Sequence, residues 1–205
     1  MCINGCINLA GNFLTVMIDN TIEKRRTVKP AEMNGKTIPD ELINHLLELA
    51  DWAPTHGRTE PWRFVVYGPG TIKQFAQEHA SMYRDNTPQE RFKQGVFENL
   101  GKAADGASHV VITYMQRGNN PNIPEMEEIA ATACAVQNLL LGATENSLAS
   151  FWCSGGMTLQ PAMKTYLGLR EEDKVLGIIY LGYSDQPAKE GKRAVPLSEK
   201  VKWLK

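Results

Sequence analysis

The sequence predicts an α+β fold built as one domain. Helical periodicity covers two long stretches, 38–53 and 124–146, and short runs rich in β-branched and aromatic residues fall between helices with no regular strand–helix–strand rhythm. Size agrees: a chain of 205 residues suits a single domain and buries roughly two thirds or more of its unfolded surface, so its core needs no disulfides.

The first strong helix is the run from Ile38 to Ala53. Thr37 reads as its N-cap, Pro39 suits the first turn, and Asp40 and Glu41 complement the positive dipole end. Pro54 disfavours continuation. A polar loop follows, then the strand WRFVVY, then a turn at Gly68 to Gly70, with Thr71 capping a helix that runs to about Tyr83. The polar stretch from Arg84 to Gly101 reads as surface helix and open loop, with nothing resembling a substrate lid, and SHVVITYM as the second strand. From Pro124 to about Asn146 the chain is acidic in its first turn and then apolar nearly all round, the signature of a helix inside a large core or at a subunit interface. SFWCSGG is a short strand running into glycines, QPAMKTYLG a short helix ended by Gly168, and KVLGIIYLGY a buried strand. The last twenty or so residues read as an extended arm.

Composition excludes several function classes. The net charge is −1, with 42% hydrophobic and 22% charged residues, which gives no reason to expect nucleic acid or an anionic membrane as partner. Residues 1–16 lack the basic start and cleavage site of a signal peptide and are set apart as an N-terminal extension, leaving 17–205 as the domain. Cys2 and Cys6 have no second ligand pair at zinc spacing, and the four cysteines suggest a reducing compartment, so the expectation is a cytoplasmic protein without a metal site. No dinucleotide fingerprint, nucleophile elbow or zinc-protease motif occurs, and Ala107 stands where a P-loop spacing from Gly101 would need lysine.

Four segments could carry chemistry. Arg25-Arg26-Thr27-Val28-Lys29 concentrates cations and a hydroxyl suited to a dianionic phosphate, though alone it also suits a solvated basic turn. Trp52 to Trp62, containing His56, makes a rigid aromatic loop that either edges a ligand pocket or simply anchors the core. Phe151 to Gly156 offers glycine backbone to a ligand and Trp152 to a ring, or is a strand ending in a turn. Lys192-Arg193 reads by itself as a solvated pair.

Taken in order, RRTVKP, LADWAPTHGRTEPWRFVVY, AVQNLLLGATENSLASFWCSGG, YLGLREEDKVLGIIYLGY and KRAVPL resemble the nitroreductase family of FMN enzymes, from about Ile22 to Val201. The small, compact subgroup of NAD(P)H nitroreductases is the most similar part of it. The resemblance implies a three-layer sandwich, with a mostly antiparallel mixed sheet flanked by helices. It also implies a homodimer with exchanged C-terminal arms, FMN at the interface, and NADH or NADPH as hydride donor to a small nitroaromatic or quinone-like acceptor.

By the same resemblance Arg25, Arg26, Thr27 and Lys29 hold the phosphate from the start of the first helix, and Arg193 reaches it from the arm. Trp52 and His56 lie near the flavin of the partner subunit, while Trp152, Cys153 and Ser154 pass along the ring. Chemistry at flavin N5 calls for no side chain as acid or base. Three departures from the pattern stand out. Glu60 replaces a glutamine and is expected to pair with Arg58, Lys29 replaces an arginine, and Cys153 an arginine. Dehalogenation, azoline oxidation and a non-catalytic flavin-binding role are the alternatives on the same fold.

Overall fold

The structure, a computed structural model, describes residues 17–204; the N-terminal extension with Cys2 and Cys6 lies outside them. The elements in order are α1 (Met17–Lys24), α2 (Asp40–Asp51), β1 (Trp62–Tyr67), α3 (Ile72–Asp85), α4 (Gln94–Lys102), β2 (His109–Met115), α5 (Glu125–Glu145), β3 (Ala149–Cys153), α6 (Pro161–Tyr166) and β4 (Lys174–Gly182). The four strands form one sheet in the order β1-β2-β4-β3, every neighbouring pair antiparallel.

Strand alternation divides the core in two. Val111, Ile179 and Leu181 face α2 and α5, where they meet Leu46, Ala135 and Leu139. Their neighbours Val110, Ile112, Ile178 and Tyr180 face the opposite way, onto Phe75 of α3 and Met163 of α6. This is the expected three-layer α+β sandwich, and its central strands β2 and β4 are buried on both sides. Gly142 lets α5 approach α2: a Cβ there would lie 2.6 Å from Leu49 Cδ1.

Two expected details differ. Helix α2 starts at Asp40, with Pro39 rather than Thr37 at the cap position. The residue before a proline is steered out of the helical region, and the Ile38 N–H is held by Ser108 Oγ at 2.7 Å, so Ile38 stays outside the helix. The basic quintet does not open the first helix; Arg25 follows the C-terminal end of α1, where its cation complements the negative dipole end.

Beyond α1 the chain runs extended along the outer edge of β3. Thr27 makes a parallel bridge to Ser150, and the Val28 N–H donates to the Ser150 carbonyl at 2.9 Å. That bridge is the parallel component of the sheet among the described residues, and it covers an edge that would otherwise present unpaired backbone groups.

The loop from β2 into α5 is clamped by charge. Arg117 bonds the buried Glu128 and, at 2.6 Å, the Ile123 carbonyl, while its own N–H donates to Asp173 at 2.9 Å. Burial pushes Asp173 up, yet Arg170 and the N–H groups of Arg117 and Arg170 hold its carboxyl below the ordinary value. The C-terminal arm is extended and exposed apart from a 3-10 turn over Leu197–Glu199.

Candidate functional site

A cavity of about 570 Å³ opens on the α3 side of β3. Phe151 and Cys153, alternate residues of β3, line it together with Tyr180 of β4. Leu100, Asn99 and Lys102 of α4 form a wall, His79 of α3 lies at its base, and Lys29 and Gly155 border it. Among the described residues the lining holds two lysines and no carboxylate, so its field favours an anion. The segment around α4 is the surface helix and loop that its polarity suggests, with a role the sequence does not announce. Its amphipathic helix packs on α3 and walls the cavity.

The residues of the 25–29 strap serve different surroundings. Lys29 lines the cavity and Arg26 a separate groove of about 240 Å³ beside the end of α5, while Val28 borders that groove and packs against the apolar cluster of Phe151 and Tyr180. Arg26 is committed to backbone. Its Nε donates to the Lys189 carbonyl at 3.0 Å, and its Nη1 donates to the Glu23 and Arg25 carbonyls at 2.5 and 2.8 Å. Its guanidinium also fills the space beside Gly191, where a Cβ would lie 2.2 Å from Nη2. The arm is fastened further by Lys189 to Glu32 at 2.5 Å and by the Ser184 hydroxyl to the Glu32 carbonyl at 2.7 Å. Arg193, two residues past Gly191, is exposed and donates to the Lys192 carbonyl. Among the described residues the side chains of Arg25 and Lys29 form no ion pair.

Strand alternation divides β3. Cys153 faces the cavity; burial pushes its thiol up to about 11, against a smaller opposite effect of the Gly155 N–H, so the sulfur is a neutral packing atom at pH 7. Trp152 projects from the other face of the strand, lying over Gly177 and donating its indole N–H to the Leu176 carbonyl at 3.2 Å. Ser154 is exposed at the start of the turn that follows.

Trp52 and His56 do not join this cavity within one protomer. Trp52 is 85% exposed at the end of α2 and lines an apolar groove of about 510 Å³ with Ile18, Leu49 and Leu141. His56 Nδ1 is 2.6 Å from Glu127 in the first turn of α5. Among the described residues Arg58 and Glu60 form no ion pair; both take positive φ, at 55° and 42°, and Glu60 is exposed to solvent. Solvation replaces the pairing expected for Glu60. A Thr55 hydroxyl accepting the Glu60 N–H helps hold this strained turn.

His79, Asn99 and Lys102 are the residues that sequence reasoning missed. They sit on two helices that carry no recognisable motif, and only tertiary packing brings those helices over β3.

The nitroreductase family model matches residues 22–183. YfhC of Bacillus subtilis, provisionally named an NAD(P)H nitroreductase, is 27% identical over 187 residues, covering 90% of this chain and 92% of its own. The crystal structure of a nitroreductase-like family protein from Bacillus cereus superposes with a TM-score of 0.78 at 29% identity, over 94% of this chain and 98% of that one. The FMN-dependent nitroreductase NfnB from Mycobacterium smegmatis, solved with NADPH, shares the fold at a TM-score of 0.67 and 21% identity, over 91% and 97% of the two chains. With a matching architecture and a family model spanning both the basic edge strap and the buried last strand, the chain belongs to the nitroreductase family.

Proposed function

We propose that this protein is an FMN-dependent oxidoreductase that takes hydride from NADH or NADPH and reduces a small electron-poor acceptor such as a nitroaromatic or quinone. The observation that carries this reading is the cavity against β3, with its apolar Phe151 and Leu100, its two lysines and its absence of carboxylates. Its volume of about 570 Å³ falls within the roughly 300–1,000 Å³ of ligand sites. Gly155 fits a flat ligand: it borders the cavity, and a Cβ there would meet no atom of the described residues within 4 Å.

When bound, FMN supplies reversible hydride chemistry, and the chain supplies position and field. Arg25, Thr27 and Lys29 hold the phosphate, with Arg193 joining them from the arm. Arg26 acts through the arm, which it fixes by donating to the Lys189 carbonyl and packing beside Gly191. Lys102 and Asn99 suit the polar edge of the ring, where a cation stabilises negative charge gained on reduction. Trp52 and His56 serve the partner's site in a homodimer. The exposed apolar side chains of Ile18, Ile22, Trp52 and Met126 on α1, α2 and α5 offer the surface for that pairing.

Both substrates use one cavity in turn, so parallel double-reciprocal lines are expected. A second reading, halide removal from a haloaromatic, draws on the wall that α4 builds over the cavity, and halide release would reveal it. The deciding experiment is a visible spectrum of the purified protein followed by anaerobic titration with NADPH and NADH. Flavin absorption that bleaches supports the reading; a colourless protein that refuses added FMN refutes it.

A further inference from the structure

Helix α3 sends a histidine into the interior at a position the flavin reading leaves unused. His79 is 2% exposed, stacks on Phe75 with ring centroids 5.7 Å apart, and lines the base of the cavity. Its Nε2 accepts the Met157 N–H at 3.0 Å. A ring nitrogen that accepts carries no proton, so the neutral ring bears its proton on Nδ1, which is buried without a partner among the described residues. An orphaned buried donor is costly, and the arrangement persists because the other nitrogen holds backbone.

The backbone it holds is the turn at residues 154–157, which leads out of β3 past the cavity. Gly156 takes φ +61°, and a Cβ there would lie 2.8 Å from His79 Nε2, so the imidazole edge packs directly on the main chain. Among the described residues the N–H groups of Ser154 and Gly156 donate no hydrogen bond, and Gly155 between them borders the cavity.

We propose that neutral His79 is the positioning residue of the site: by accepting the Met157 N–H it sets the 154–157 turn so that the Gly155 main chain borders the bound ligand. This rests on the flavin reading for the identity of that ligand, the polar edge of an FMN ring. Burial pushes His79 down to about 4, which keeps the ring neutral and accepting at pH 7. A protonated ring would set N–H against N–H and release the turn.

The test compares wild type with His79→Leu, which removes the acceptor, and His79→Gln, which restores a side-chain oxygen. Amide exchange of the 154–158 segment is followed by mass spectrometry, FMN affinity by equilibrium dialysis, and the flavin midpoint potential by dye equilibration. His79→Leu is expected to exchange this segment at least about ten-fold faster, bind FMN about ten-fold more weakly and lower the potential, as loss of one buried hydrogen bond implies. His79→Gln is expected to recover most of each. A folded leucine variant with wild-type exchange and affinity overturns the proposal, as does a glutamine variant no better than leucine. If the leucine variant does not fold, the glutamine variant decides alone: wild-type values support the role, fast exchange and weak binding overturn it. Wild type that binds no FMN overturns the flavin reading, while the exchange comparison still decides whether His79 holds the turn.

Discussion

Acidification offers a quantitative reading of His79. In the unfolded chain its imidazole titrates near the ordinary 6.5, and in the native protein burial pushes it down to about 4. Above pH 6.5 neither state binds this proton, so stability is independent of pH on its account. Between 6.5 and 4 the unfolded chain binds it and the native protein does not, so stability falls as pH falls, by about 1.4 kcal/mol per pH unit. Below 4 both states bind it and the loss is complete, at about 3 kcal/mol.

His79→Leu lacks this limb. The stability difference between wild type and variant should therefore move by about 3 kcal/mol against wild type from pH 7 to pH 4. Urea unfolding at half-unit pH steps measures it. Glu32, Glu78, Asp85 and Asp173, whose carboxyls are all held below their ordinary values, lose stability on acidification in both proteins and cancel in the difference. Parallel curves for the two proteins would refute the buried neutral histidine, and wild type gaining on the variant at low pH would mean that the ring has an acidic partner.

Other expectations follow from the same geometry. Arg117→Met strands the buried Glu128 and should destabilise by about 3 kcal/mol in urea unfolding, with Arg117→Met/Glu128→Leu recovering much of the loss. Gly155→Ala should leave thermal stability nearly unchanged while lowering FMN retention, because its Cβ enters open space beside the cavity. Gly156→Ala should cost about 2 kcal/mol or more, from a left-handed backbone and contact with His79. Native Cys153, with its thiol pushed up to about 11, should resist iodoacetamide at pH 7.5 under conditions that label the unfolded chain, as peptide mass spectrometry would register.

The fold was legible where local chemistry and packing agree. The span of α5, expected from Pro124 to Asn146 and observed as Glu125–Glu145, is bounded by an extended proline and by Ser147 at φ 58°, breaks that local sequence announces. The start of α2 was misplaced because a threonine cap competes with a proline that excludes its predecessor from the helix, and the proline prevails. Site residues were legible as segments rather than as faces. Nothing in RRTVK or FWCS says that the backbone is extended, so Arg26 and Trp152 could not be separated from Lys29 and Cys153 without strand pairing. Asn99, Lys102 and His79 stayed hidden because a polar amphipathic helix reads as solvent-facing until the element it covers is known.

The strap along β3 carries one more consequence, for sequence length rather than sequence content. Its bridge at Thr27 to Ser150 pins the strap to the sheet edge, so where each cation falls depends on its distance along the chain from that bridge. Removing Val28 would leave the net charge unchanged, yet would draw Lys29 one position toward the bridge and off its place beside the cavity. Natural variation in this stretch should therefore keep its length as well as its cations, while the exposed arm beyond Arg193, paired to no strand among the described residues, is free to lengthen or shorten.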